Sequence, residues 1–219
     1  MRKGAIFDVD GTLLDSMPIW ENSSSVWLAG IGVQAEPDLN DVMFRLSLDE
    51  GAAYLKSAYH LSLSEEEIKE GVVGVVGAFY REKAPAKAGV PEFLEKLWQM
   101  GFPMYVATSS SREHVAAALK RVGIFHYFDG LITCEEAGAG KSDPRIFLMA
   151  AERMGLAPKD VFVFEDVIHA VRAAGSAGFV TVGVYDAASD ADNEAMRAEC
   201  GIYLHTMENW EEFRIRAGL

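Results

Sequence analysis

Two carboxylates, Asp8 and Asp10, stand two residues apart where an apolar run gives way to Gly11-Thr12. The run Gly4-Ala5-Ile6-Phe7-Asp8-Val9 reads as a buried parallel strand, so the pair occupies a strand-to-loop transition that can aim both side chains at one point. Gly11 lets the backbone turn tightly there. An isolated acidic pair is ordinarily a solvated loop. A buried strand feeding the pair favours a catalytic role, because open α/β sheets bind ligands beyond the C-terminal ends of their strands.

The elements that must position the pair follow from hydrophobic pattern. Apolar runs recur at 104–108, 161–164 and 180–184. Between and after them, residues 91–100, 113–122, 144–154, 167–177 and 190–199 carry apolar positions at helical spacing. Strands alternating with helices imply a parallel α/β sheet. The stretch 16–87 breaks that rhythm, with helical patterns at 19–28, 48–59 and 65–82 and no convincing strand. We read it as an inserted helical cap on a Rossmann-like parallel core formed by residues 1–15 and 88–219. Ser64 and Glu67 form a capping box ahead of the third cap helix. Gly71, Gly74 and Gly77 within it form a small-residue stripe that permits close packing. Residues 207–219 read as a closing helix with Trp210 and Phe213 facing inward.

The segment Phe7-Asp8-Val9-Asp10-Gly11-Thr12-Leu13-Leu14-Asp15-Ser16 resembles the first motif, Asp-X-Asp-X-Thr, of the haloacid dehalogenase superfamily, in its phosphatase branch. The resemblance implies that Asp8 attacks phosphorus to form an aspartyl phosphate, while Asp10 protonates the leaving oxygen and then activates water. Three further segments resemble the family's remaining motifs in the right order. Met104-Tyr105-Val106-Ala107-Thr108-Ser109-Ser110 supplies the second, which implies that the Thr108 hydroxyl and the Ser109 amide hold phosphoryl oxygens. Ser110 or Ser111 also suits a helix cap. Gly140-Lys141-Ser142-Asp143-Pro144 supplies the third, with Lys141 balancing the carboxylates and the transferring group. Phe164-Glu165-Asp166 supplies the fourth, in which Asp166 ligates metal directly and Glu165 does so directly or through water. With Asp8 and the backbone carbonyl of Asp10, this oxygen-rich set suits magnesium. Val167 and Ala170 replace the Ser and Gly usual in the helix that follows.

The family resemblance assigns substrate choice to the cap, around Phe44-Arg45-Leu46-Ser47-Leu48. Beta-phosphoglucomutases carry an arginine just after a serine in this loop, whereas Leu48 follows Ser47 here, with Arg45 as the available substitute. A phosphomonoesterase acting on a small phosphorylated metabolite is therefore the first reading and a phosphosugar mutase the second. Phe44, Leu46 and Trp20 fit either an apolar wall for the leaving group or, as we favour, cap core. A non-catalytic phosphoacceptor module also gathers aspartates, a Thr/Ser and a lysine, but is shorter and lacks a helical insertion. Branches that cleave carbon–halogen or carbon–phosphorus bonds lack the second aspartate, which Asp10 supplies.

Composition narrows the partners. The net charge of -13 over 219 residues repels nucleic acid backbones and anionic membrane surfaces, so bound phosphate needs a local positive site. Two distant cysteines suggest neither a disulfide framework nor a zinc cluster. His60, His114, His126 and His205 read as structural, and His169 as a helix-surface residue. No run reaches the roughly 20 apolar residues needed to cross a bilayer. The N-terminus does not read as a signal peptide. A cytoplasmic protein, monomeric or weakly homo-oligomeric, is expected. A P-loop at Gly140-Lys141-Ser142 is excluded because Glu135 stands where that loop needs its first glycine.

Overall fold

The computed structural model describes residues 2–43 and 46–219. The chain separates into two compact units, Met1–Asp15 with Ala84–Leu219, and Ser16–Lys83.

Among the described residues, the first unit holds six parallel strands: β1 (Gly4–Phe7), β2 (Met104–Thr108), β3 (Gly130–Thr133), β4 (Val161–Glu165), β5 (Val180–Val184) and β6 (Ile202–Leu204). They pair in the order β3-β2-β1-β4-β5-β6, with Phe7 in register with Val106 on one side and Phe164 on the other. After β1 the chain builds outward through β2 and β3, then crosses back to the other side of β1. That reversal opens a crevice beyond the C-terminal ends of β1 and β4, where open α/β sheets bind ligands.

The inner strands are predominantly apolar, as strands covered by helices on both faces are. Successive side chains alternate between those faces. Ile6 and Val163 join the core formed with the helices Arg145–Met154 and Ile168–Ser176. Phe7 and Phe164 stack at 4.3 Å, and Phe164 continues into an aromatic cluster with Phe93 and Phe213. The C-terminal helix spans Trp210–Arg216, and both Trp210 and Phe213 pack on Phe93.

The expected parallel α/β sheet is present, with two strands more than the hydrophobic runs announced. β3 and β6 contribute only four and three residues, and neither stands in an apolar run as extended as the one that carries β1. Their pairing with β2 and β5 makes them strands. Likewise the helix expected over 190–199 is a 3-10 turn, Ala187–Asp192, followed by a helix over Asn193–Glu199. Asp186 caps that turn by accepting a hydrogen bond from the Ala188 amide at 3.0 Å.

The second unit is helical: Met17–Gly30, Leu39–Met43, Leu48–Ala58 and Glu65–Glu82. Its own core gathers Trp27, Leu28, Leu39, Ala52, Leu55, Ile68 and Val72. Reciprocal capping boxes start the last two helices, Ser47 with Glu50 and Ser64 with Glu67. Trp20 is not core as expected. The residue is 46% exposed, with its indole nitrogen donating to the Tyr80 hydroxyl at 3.1 Å. Among the described residues, no helix is long and apolar enough to cross a membrane.

The glycine stripe divides on inspection. A Cβ at Gly71 would lie 2.1 Å from Trp27 Nε1, so the absence of a side chain admits the indole. Gly74 is exposed, with nothing within 4 Å of such an atom. Gly74→Ala should therefore stabilise the protein by about 0.5–1 kcal/mol through unfolded-state entropy. Gly71→Ala should destabilise it by about 1–3 kcal/mol through overpacking. Denaturant midpoints for the two variants check both, and equal shifts of one sign would contradict this division.

Candidate active site

The site is built within the first unit. β1 delivers Asp8, whose backbone N–H donates to the Phe164 carbonyl at 3.0 Å, so the first residue beyond β1 remains tied to β4. The chain then folds on itself: Leu13 and Leu14 donate to the Val9 carbonyl at 2.9 and 2.8 Å, and Gly11 to Leu14 at 3.0 Å. Gly11 adopts φ +82°, and a Cβ there would sit 2.4 Å from Asp166 Oδ2. Only glycine meets both demands, the left-handed backbone and the carboxylate packed against it.

β4 delivers Glu165 at its last residue and Asp166 just beyond; both are buried. Lys141 arrives from a loop. Thr133 and Glu136 form a capping box for the short helix Cys134–Ala137, and Gly138 at φ +65° ends it. Asp143 accepts from the Arg145 amide at 2.9 Å, turning the chain into the next helix. Between these turns Lys141 is buried, 6% exposed, with its ammonium donating to Asp8 Oδ1 and, at 2.6 Å, to Glu165 Oε1.

Asp8, Glu165 and Asp166 each offer an oxygen within 4.8 Å of the others. Among the described buried side chains, Glu165 Oε2 alone has no hydrogen-bond partner. Three carboxylates and one ammonium leave an excess of negative charge in a buried site. Burial raises the carboxyl pKa of Asp8, with Lys141 opposing and Asp10 adding to the rise. Burial pushes Glu165 up to about 8, again against Lys141. Asp166 is raised by burial, then by Asp8 and Glu165. Against its own burial, Lys141 is held well above the usual lysine range by Asp8 and Glu165. A hard divalent cation fits this donor set: it would balance the surplus charge, occupy the orphaned Glu165 oxygen and keep the carboxylates ionised.

Asp10 is placed differently. Its Oδ2 accepts from the Ser110 hydroxyl at 2.6 Å, and its carboxylate stands outside the converging three. Thr108 ends β2 fully buried, its Oγ1 accepting from the Ser110 amide at 3.0 Å. Ser109 is exposed, with its hydroxyl 3.3 Å from Cys134 Sγ. Thr12 and Ser189 each place a hydroxyl 3.4 Å from a carboxylate oxygen of Asp166. Ser110 is thus more than the helix cap suggested by its place in the chain. The helix after it is preceded by Ser111, which makes no side-chain capping bond. Of the two cap residues expected to govern specificity, Arg45 and the neighbouring Phe44 lie outside the described residues. Ser47 caps its helix, and its hydroxyl donates to Glu50 at 2.7 Å.

Comparison with known proteins agrees with this geometry. A family model for haloacid dehalogenase-like hydrolases matches residues 2–178. A phosphorylated carbohydrates phosphatase of Thermotoga maritima is 30% identical over 86% of this chain and 88% of its own. Hexitol phosphatase A of Escherichia coli is 30% identical over 94% of this chain and 92% of its own. Among solved structures, a candidate beta-phosphoglucomutase of Thermotoga maritima superposes with a TM-score of 0.83 at 26% identity, covering 99% of both chains. With three separated segments converging on one acidic centre and a family model spanning most of its length, the chain belongs to the haloacid dehalogenase-like hydrolases.

Proposed function

We propose that the protein is a magnesium-dependent phosphatase that hydrolyses phosphomonoesters of small metabolites, phosphorylated sugars and sugar alcohols foremost. The observation that carries the reading is the buried cluster of Asp8, Glu165 and Asp166 around Lys141, with the Glu165 oxygen left without a partner. The phosphatases of phosphorylated carbohydrates and hexitols to which the chain is similar support the substrate class.

In this mechanism an Asp8 oxygen bonds to phosphorus as the ester P–O bond breaks, and Asp10 gives its proton to the departing oxygen. Asp10 then takes a proton from water, whose oxygen displaces Asp8 and releases inorganic phosphate. Lys141, the Thr108 hydroxyl and the Ser109 amide hold the phosphoryl oxygens. Magnesium bound by Asp8, Glu165 and Asp166 would neutralise charge between the phosphate and its nucleophile.

A panel of sugar and polyol phosphates assayed for phosphate release tests the reading. Release with magnesium, loss on chelation and recovery on adding the cation back are expected. Release undiminished by a chelator would refute the metal assignment, and no release from any ester would refute the phosphatase. The likeness to the candidate beta-phosphoglucomutase favours one other reading, a phosphosugar mutase. Conversion of one sugar phosphate into its positional isomer, without net phosphate release, would establish that reading instead.

A further inference from the structure

We propose that Lys87 is a positioning residue: its ammonium clamps the loop that carries Asp10 and Thr12 to the end of β5. The proposal rests on the phosphatase reading for its kinetic consequence, though not for its structural one. Lys87 Nζ donates to the Gly11 carbonyl at 2.6 Å, to the Tyr185 carbonyl at 2.7 Å and to Asp186 Oδ2 at 2.7 Å. An ammonium has three N–H donors, and all three are used. Its backbone N–H also donates to the Leu13 carbonyl at 3.0 Å, so one residue grips both sides of the turn at Gly11–Leu13.

The far side of the clamp is rigid. Tyr185 N–H donates to the Leu204 carbonyl at 2.9 Å, tying the end of β5 to β6. Asp186 is buried, and its second oxygen accepts from the Ala188 amide at 3.0 Å. Fixing the Gly11 carbonyl fixes the plane of the peptide joining Gly11 to Thr12. Gly11 packs on Asp166, and Thr12 reaches the same carboxylate at 3.4 Å. Two carbonyls and a carboxylate converging on one point match a compact three-donor cation, whereas the planar fork of arginine spreads its donors apart. A misplacement of about 1 Å transmitted to catalytic groups can cost on the order of 100-fold in rate.

Lys87→Met and Asp186→Asn test the clamp through amide hydrogen exchange and steady-state kinetics. For Lys87→Met we expect exchange in peptides covering residues 8–16 to accelerate by about tenfold or more, with β4 and β5 peptides unchanged. The same variant should lose about 10- to 100-fold in kcat with KM within about threefold of wild type. Asp186→Asn, which leaves both carbonyls clamped, should show the same pattern more weakly. A lower unfolding temperature with unchanged local exchange and unchanged kcat would overturn the proposal, as would a change confined to KM. If Lys87→Met does not fold, Asp186→Asn decides, with faster local exchange in support and unchanged exchange against. If the wild-type protein releases no phosphate, the phosphatase reading fails while local exchange still judges the clamp.

Discussion

Asp8→Asn should lower phosphate release by at least about 10⁴-fold, because an amide oxygen is a poor nucleophile and no other group replaces the attacking atom. Asparagine nearly matches aspartate in shape, and the Asp8 amide bond to Phe164 is made by backbone and survives the change. The variant should therefore fold, with a wild-type circular dichroism spectrum and an unfolding temperature within a few degrees. It should also carry no acid-stable phosphate after exposure to substrate, which mass spectrometry of quenched reactions measures. Turnover within tenfold of wild type would falsify the nucleophile assignment. Loss of activity accompanied by unfolding would leave Asp8→Glu to decide: that longer acid keeps the charge but shifts the attacking oxygen, so a folded, inactive variant is expected.

Lys141→Met should act on catalysis and on stability together. Removing a donor aimed at developing charge typically costs about 10²–10³-fold in kcat. Removing one partner of a buried ion pair costs about 3–5 kcal/mol, because the remaining charges lose their compensation. Here Asp8 and Glu165 both lose the ammonium that opposes the effect of their burial. The metal-free variant should thus unfold at a markedly lower temperature than wild type. Magnesium should recover more of the stability than of the turnover, since a cation in the carboxylate cluster replaces charge but not the position of the ammonium. Thermal unfolding with and without magnesium separates the two effects. A variant as stable as wild type under chelation would show that Lys141 does not balance the acidic cluster.

The parts of the site that were legible in the sequence are those whose chemistry is local to a strand end. Asp8, Glu165 and Asp166 each follow a fully apolar run, and such a run ending in carboxylates can be recognised without knowing what packs beside it. Lys141 was legible through its motif. Ser110 and Lys87 were not. Ser110 reaches an acceptor 100 residues away in the chain, and Lys87 binds acceptors 76, 98 and 99 residues away. Nothing in the local pattern around either residue differs from an ordinary helix cap or an ordinary surface lysine. The two boxes Ser47–Glu50 and Thr133–Glu136 did have a local signal, the same spacing recognised at Ser64–Glu67.

By itself the sequence determined the family and the parallel α/β class and nominated the carboxylates and their lysine, because these rest on residue type, order and short-range hydrophobic period. The tertiary structure decided the rest. It alone made strands of Gly130–Thr133 and Ile202–Leu204, since neither stands in an extended apolar run and each acquires its strand character from a neighbour's hydrogen bonds. It alone brought Lys141 onto Asp8 and Glu165, left one Glu165 oxygen without a partner and closed Lys87 onto Gly11. Burial, charge balance and donor saturation are properties of which distant segments share a site, and no local reading of the chain contains them.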